Sequence, residues 1–207
     1  MIAIIDYSVG NLHSIKSALD FLGVENIITN NEEDIRKAKA LILPGVGAFR
    51  DAINSLKATG LIPVIKEEVK KGKYLLGICL GMQLLYEKSY EFGEYEGLGF
   101  LKGDICSIKE DLINKDLKVP HMGWNNLIFK QKDNLITKYI KEEDYVYFVH
   151  SYYVKSDFSE VVGYTKYNIN IPAIVNNKNI FGMQFHPEKS GTVGLNLLKA
   201  YANIVLK

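Results

Sequence analysis

The densest chemical signal lies in seven residues, Gly77-Ile78-Cys79-Leu80-Gly81-Met82-Gln83, where a cysteine stands between two glycines. An apolar stretch precedes them and an amphipathic stretch follows. A Gly-x-nucleophile-x-Gly turn between a strand and a helix forces its central residue into a tight, strained bend. The glycines are needed because side chains there would collide with the neighbouring backbone. The bend lifts the nucleophile above the sheet edge, where open α/β sheets bind ligands. It also sets the thiol at a helix N-terminus, whose partial positive charge favours the thiolate. The Leu80 N–H then points to where an oxyanion would form. The ordinary fate of a free cysteine is burial in the core. Here the turn, the strand before it and the helix after it all agree with a nucleophile. Cys106, inside the alternating segment Asp104-Ile105-Cys106-Ser107-Ile108, keeps the ordinary reading.

A thiol nucleophile needs a base, and the base needs a group to orient it. The chain has four histidines. His13 sits in a polar part of a helix and reads as a surface residue. His121, His150 and His186 lie in or near strand-like segments. Only His186 has a carboxylate in a fixed local relation, in Phe185-His186-Pro187-Glu188. Pro187 favours an extended conformation at His186. His186 and Glu188 then face one way, the carboxylate holding the imidazole while the other ring nitrogen addresses Cys79. The histidines are scattered without metal-ligand spacing, so neither a metal nor another cofactor is expected.

A third element, Pro44-Gly45-Val46-Gly47, directly follows a strand. In parallel-sheet enzymes with this kind of turn, a loop after a neighbouring strand commonly supplies the second oxyanion donor. Here that donor is read as the Val46 N–H, with Leu80 supplying the first. Gly45 lets the Gly45–Val46 peptide turn toward or away from the space above Cys79, while Pro44 anchors the residue before it. In the resting chain the Val46 N–H is expected to point away.

These groups need a sheet to carry them. Apolar runs over 2–6, 24–29, 40–43 and 74–78 read as buried parallel strands. Helical patterns lie between and after them, from Leu12 to Gly23 and over 32–38, 48–57, 61–71 and 80–87. Such alternation predicts an α/β fold with helices on both faces of a mostly parallel sheet. The second half reads as strands over 103–108, 124–129, 145–150, 161–164 and 173–176, an antiparallel or mixed extension. One more buried strand spans 180–185, and a closing helix shows Val193, Leu197, Tyr201 and Val205 on one face. No repeat or linker interrupts residues 1–207, so one domain is expected.

With 47% hydrophobic residues the chain can build one sizeable core. Lys plus Arg total 25 and Asp plus Glu 24, a balance that gives no reason to expect nucleic acid or a membrane as partner. Two cysteines in dissimilar contexts make no disulfide framework, and the N-terminus reads as a strand and not as a secretion signal. A cytoplasmic setting is expected.

Together the motifs resemble the class I (triad) glutamine amidotransferase family. GICLGMQ matches its nucleophile segment and FHPEKS its His-x-Glu segment. IDYSVGN, PGVGAF, PHMGWN and YFVHSY are more specific. They resemble the branch whose members serve as glutaminase subunits in histidine biosynthesis, over essentially the whole chain. The resemblance implies a flavodoxin-like fold and a Cys79–His186–Glu188 triad that hydrolyses glutamine through a thioester. It implies glutamine contacts at Gly45, Gly47, Gln83 and the backbone near His150, Ser151 and Tyr152. It also implies a heterodimeric partner, a (β/α)8-barrel cyclase, to which ammonia passes to form imidazole glycerol phosphate. Asn11 and Lys189 match positions near that interface, and Trp124 would lie near the ammonia exit unless it is simply a core tryptophan. Ser8 replaces a glycine usual in the family and is expected to keep a negative φ. Arg50, also where glycine is common, reads as a surface change. Alternatives are a glutaminase serving a sugar-amidinating or other synthetase, a thiol hydrolase acting alone, and a catalytically silent regulatory module. The last would be expected to lack the nucleophile or base.

Overall fold

The computed structural model describes residues 1–114 and 116–206. Its first half alternates as the hydrophobic pattern requires. β1 (Ile2–Ile5) leads to α1 (Leu12–Phe21), and β2 (Asn26–Thr29) to α2 (Glu32–Lys37). β3 (Ala40–Leu43) is followed by two helices, α3 (Phe49–Ala58) and α4 (Ile62–Lys70). β4 (Tyr74–Ile78) passes through Cys79 into the one-turn helix α5 (Leu80–Gln83). Strands β1 and β3 are buried along their whole length, so both faces must be covered. Side chains alternate between those faces. Ala3, Ile5, Leu41, Leu43 and Leu75 meet α2, α3 and α4 in one core. Ile2, Ile4, Ala40, Ile42, Leu76 and Ile78 meet α1 and the C-terminal helix in the other.

The second half is rich in strands. β5 (Lys88–Ser89), β6 (Tyr95–Glu96) and β7 (Asp104–Ser107) precede the short helix α6 (Ile108–Asp111). β8 (His121–Asn126), β9 (Ile128–Phe129), β10 (Tyr145–His150) and β11 (Tyr152–Lys155) follow. β12 (Val161–Lys166), β13 (Asn170–Asn177) and β14 (Ile180–Met183) lead to α7 (Gly191–Val205). The central sheet has the order β2-β1-β3-β4-β14-β13-β12-β9. Its strands from β2 to β14 run parallel, and β13, β12 and β9 extend it antiparallel. A β8–β10 ribbon and a smaller mixed sheet, β11-β7-β5-β6, stand beside it. This is the expected α/β architecture with its mixed extension.

Several local expectations are corrected. The helix expected over 80–87 stops at Gln83. The Leu85 and Tyr86 N–H groups bond to carbonyls only three residues back, and the Glu87 N–H goes instead to the Gly103 carbonyl. That diverts the chain into β5. The strand expected over 124–129 begins earlier, at His121, and breaks at Leu127. Strand β11 was not evident because a single residue separates it from β10. Ser8 lies at φ +64°, in the left-handed region, with its N–H donating to Asp6 Oδ1 at 3.0 Å. The turn after β1 thus retains a conformation natural to glycine.

The join between β4 and α5 depends on close backbone approach. A Cβ on Gly81 would stand 1.9 Å from the Leu43 carbonyl oxygen, and one on Gly77 would stand 2.6 Å from the Gly81 carbonyl oxygen. Both obstacles are backbone, which cannot swing aside as a side chain would. We expect Gly81→Ala to lower stability by roughly 3 kcal/mol or more, read as a fall in the urea midpoint of unfolding. An unchanged midpoint would show that the end of β3 yields to the methyl group.

Candidate active site

Strands β3, β4 and β14 end on the same edge of the sheet, which brings the three sequence motifs together. Cys79 sits at φ +54° and ψ −113°, a strained conformation for a residue with a side chain. Its N–H donates to the Met183 carbonyl at 2.7 Å, and its own carbonyl accepts from the Gln83 N–H at 3.2 Å. The turn is therefore held by the neighbouring strand on one side and by α5 on the other.

His186 follows β14. Its N–H donates to the Tyr147 carbonyl at 3.0 Å, and its carbonyl accepts from Ser190 Oγ at 2.6 Å. Ser190 Oγ in turn accepts from the Tyr147 N–H at 3.0 Å, tying the loop to β10. His186 is extended, as Pro187 implied, but Pro187–Lys189 forms a single 3-10 turn where an extended chain was expected. The turn still brings Glu188 under the ring. His186 Nδ1 donates to Glu188 Oε1 at 2.9 Å, and the Glu188 side chain has no exposed surface. The other ring nitrogen is left for Cys79. Burial opposes a charge on this imidazole, yet hydrogen bonds to Cys79 and Glu188 outweigh it and push its pKa up to about 10. These partners favour the protonated form of His186 beside Cys79.

A cleft of about 330 Å³ opens above these groups. Cys79, Leu80, Val46, Gly47, Gln83, His150, Ser151, Tyr152 and His186 all line it. Gly45 and Glu188 lie behind the lining. Gly45 is buried, and its carbonyl accepts from the Leu80 N–H at 3.3 Å. A trans peptide holds C=O and N–H on opposite sides. The Val46 N–H therefore points away from the Leu80 N–H, and the Gly45 carbonyl occupies the donor that an oxyanion would use.

The structure also brings in groups that spacing did not reveal. Tyr7 is buried, and its hydroxyl donates to the Pro44 carbonyl, pinning the loop after β3. Burial, and then the proximity of Cys79, drive this phenol's pKa well up. Glu91 lines the cleft, and its Oε2 accepts from the Phe49 N–H at 2.6 Å. Burial raises that carboxyl above the usual range. Nothing in the sequence set Glu91 apart from Glu87, Glu94 and Glu96 in the same polar stretch. Gln184, 0% exposed, points its amide at Cys79 Sγ from 3.9 Å.

The residues read as interface positions are scattered around this centre. Asn11 donates from Nδ2 to Glu188 Oε1 at 3.4 Å, so it touches the carboxylate that holds His186, and it is held by Ser14 Oγ at 2.8 Å. Lys189 is exposed beside Glu188. Trp124 is not a core residue: it is 56% exposed on β8, edge-on to Tyr147, on the same strand face as Met122. Among the described residues no group of three or more His, Cys, Asp or Glu side chains is placed to hold a metal ion. No helix among them is long and apolar enough to cross a membrane.

Comparison with known proteins places this geometry. A family profile described as glutamine amidotransferase class-I matches residues 3–201. The imidazole glycerol phosphate synthase subunit HisH of Oceanobacillus iheyensis is 52% identical, over 99% of this chain and 100% of its own. The subunit of the same name from Caldanaerobacter subterraneus is 50% identical, over 99% and 98%. That of Bacillus subtilis is 47% identical, over 99% and 96%. Among solved structures, a glutamine amidotransferase superposes with a TM-score of 0.77 at 19% identity, each chain covered fully. The PurLQS structure from Thermotoga maritima gives 0.76 at 23%, over 100% of this chain and 98% of that one. At those identities the structural likeness speaks for the fold alone. The sequence matches span the whole site, from the loop after β1 to the turn holding Glu188, and the chain belongs to the class-I glutamine amidotransferase family.

Proposed function

We infer that this chain is the glutamine-hydrolysing subunit of an imidazole glycerol phosphate synthase. The observation that carries the chemistry is Cys79 on its strained turn, facing an imidazole that Glu188 holds in place, at the floor of one cleft. The destination of the ammonia is supported by full-length identities of 47% to 52% with subunits of that synthase.

The reaction follows from the groups present. The Cys79 thiolate attacks the side-chain carbonyl carbon of glutamine. His186 gives its proton to the departing nitrogen, ammonia leaves, and a thioester remains. His186, now neutral, takes a proton from water as that water attacks the thioester, and glutamate is released. Glu188 orients the ring throughout without itself accepting the proton. Gln83, Gly47 and the backbone at His150–Tyr152 line the space for the substrate. Glu91, a carboxylate on the same wall, suits the α-ammonium group of glutamine.

In the resting arrangement the oxyanion site is blocked by the Gly45 carbonyl. Turning the Gly45–Val46 peptide over would withdraw that carbonyl and present the Val46 N–H beside the Leu80 N–H. This makes the subunit latent until a partner favours the turned state. The partner is a cyclase subunit, read as a (β/α)8 barrel. The apolar face of the β8–β10 ribbon suits its docking, because Met122 and Trp124 are 61% and 56% exposed there. Val46 and Pro120 on the cleft rim continue that surface. Asn11 and Lys189 lie on the Glu188 side of the site and suit the coupling of docking to the triad.

In the complex, Cys79→Ala should abolish glutamine-dependent synthesis and spare synthesis from ammonium salts. Glu188→Ala should retain some glutamine use, because Glu188 transfers no proton. A Cys79→Ala complex that still consumed glutamine would remove this mechanism. Alanine at Gly45 is a poor probe of the peptide turn, since its Cβ would stand 2.6 Å from the Gly81 nitrogen. Replacing Val46 by its α-hydroxy acid removes only the N–H. Partner-stimulated glutaminase activity should then fall about 10²–10³-fold with ammonia-dependent synthesis intact. Normal stimulation in that variant would exclude the Val46 N–H as a donor.

The charge state of His186 gives a further check. Its folded-state pKa is raised from 6.5 to about 10, so the associated stability is full below 6.5 and lost as pH rises toward 10. Imidazole NMR should find the ring protonated through neutral pH in the wild type. In Cys79→Ala, where one raising partner is gone, it should lose its proton at lower pH. The stability advantage of wild type over that variant should shrink as pH rises through this window. Identical titration of His186 in both proteins would deny the Cys79–His186 pair.

A further inference from the structure

A second line of buried polar groups reaches Cys79 and ends at Gln184, which none of the steps above uses. It begins on β8 at Asn125, whose amide is fixed by two backbone groups. Oδ1 accepts from the Asn126 N–H at 2.9 Å, and Nδ2 donates to the Lys166 carbonyl at 3.1 Å. The same Nδ2 lies 3.3 Å from His121 Nε2. His121 Nδ1 lies 3.0 Å from His150 Nε2, and His150 Nδ1 lies 2.8 Å from the Tyr152 carbonyl. That carbonyl also accepts from Gln83 Nε2, which donates in turn to Gln184 Oε1, both at 3.0 Å. Gln184 Nε2 is left facing Cys79 Sγ at 3.9 Å. His121, Gln83, His150 and Gln184 are all buried.

Only one arrangement of protons satisfies every contact. A carbonyl can only accept, so His150 carries its proton on Nδ1 and must accept at Nε2. His121 therefore donates from Nδ1 and accepts from Asn125 at Nε2. Both rings are neutral and protonated at Nδ1. Charging either ring would set two N–H groups against each other. Burial holds His121 down to about 4. Burial, then His121, and more weakly His186, hold His150 down to about 3, against the pull of the Tyr152 carbonyl. The other groups against the pair bring no competing charge: His121 stacks on Phe148 at 4.7 Å and lies against Tyr167 at 4.2 Å.

On the other side of the Tyr152 carbonyl, donors run from Gln83 to Gln184 and from Gln184 to the sulfur. Because Gln184 Oε1 is taken by Gln83, the thiolate is offered an N–H, which stabilises its charge. Half a turn of the Gln184 amide would set a lone pair against the anion. We propose that Gln184 is a catalytic residue donating to the Cys79 thiolate, and that His121 is a positioning residue. The Tyr152 carbonyl, through Gln83, fixes the Gln184 amide with its N–H toward sulfur, and His121 holds His150 and hence that carbonyl in place. The proposal rests on the reading of Cys79 as the nucleophile.

The first test uses the wild-type full chain. Long-range proton–nitrogen NMR of its imidazoles should find His121 and His150 both protonated at Nδ1 and bare at Nε2. A proton on Nε2 of either ring, in place of Nδ1, overturns the line. The second test reads the thiolate by iodoacetamide alkylation, with peptide mass spectrometry to count Cys79 apart from Cys106. In Gln184→Leu the rate at neutral pH should fall about tenfold, the scale of one hydrogen bond to a charged group. The deficit should close at alkaline pH, where the thiol ionises without help. His121→Phe keeps the ring stack but loses the donor, and should show the same pattern at smaller size. His121→Asn returns an N–H near the Nδ1 position and should recover the rate. In the complex with the cyclase, kcat for glutamine should follow these rates while ammonia-dependent synthesis is unchanged. A Gln184→Leu rate equal to wild type, or a deficit that persists at every pH, sinks the proposal and leaves Cys79 as the nucleophile. Glutamine use by a Cys79→Ala complex sinks the nucleophile reading itself.

Discussion

A cysteine held at positive φ between a buried parallel strand and a helix is the constraint on which this molecule turns. Such a backbone costs on the order of 1–3 kcal/mol and persists only where its surroundings over-determine it. Here they do. The Cys79 N–H is engaged by β14 and its carbonyl by α5. Gly77 and Gly81 let the helix press against the ends of β4 and β3 with no room for a methyl group. Both faces of the central sheet are covered by helices, so β3, β4 and β14 have little freedom to relax. The strain is held by the whole sheet, and what it yields is a thiol raised above the sheet edge, beside the Leu80 N–H at the start of α5.

Around that thiol one chemical group, the imidazole, is put to two opposite uses. Hydrogen bonds between His186 and both Cys79 and Glu188 overcome the cost of burial and raise its pKa, so its charged form is favoured. His150 and His121 have only neutral partners: a carbonyl, an amide and each other. Burial then wins, and both stay uncharged. The protonated ring can give up a proton to a leaving nitrogen. The uncharged rings have fixed donor and acceptor ends and can only set direction. The same environment that makes His186 an acid keeps its neighbours from competing for its proton.

The resting geometry also accounts for how such a site can be complete yet held in check. Cys79, His186 and Glu188 stand together, and the cleft above them is open. The Leu80 N–H, however, is bonded to the Gly45 carbonyl, and Tyr7 pins the residue before it. Turning the Gly45–Val46 peptide plane over would free the Leu80 N–H and aim the Val46 N–H the same way. Glycine at the hinge keeps the barrier low, while the buried packing of Gly45 against Gly81 and Tyr7 gives the resting state a definite home.

Much of the site was legible in the sequence because its key relations are local. The turn around Cys79, the His186–Glu188 pairing and the loop after β3 are each spelled out within a few residues, where backbone geometry fixes who faces whom. The alternation of apolar runs likewise gave β1 to β4 and their helices. What tertiary structure alone decided are relations between residues far apart in the chain. Glu91 became a wall of the cleft, and Gln184 a neighbour of sulfur, only because separate loops and strands converge there. The short strands β5 and β6 and the shortened α5 follow from backbone hydrogen bonds to Gly97–Gly103, which no local pattern announces. Ser8 went to positive φ against the ordinary preference of its type. His121 and His150 look alike in sequence to any strand histidine. Their neutrality and proton positions come from burial and from carbonyl and amide partners supplied by other segments of the chain, and burial is a property of the folded whole.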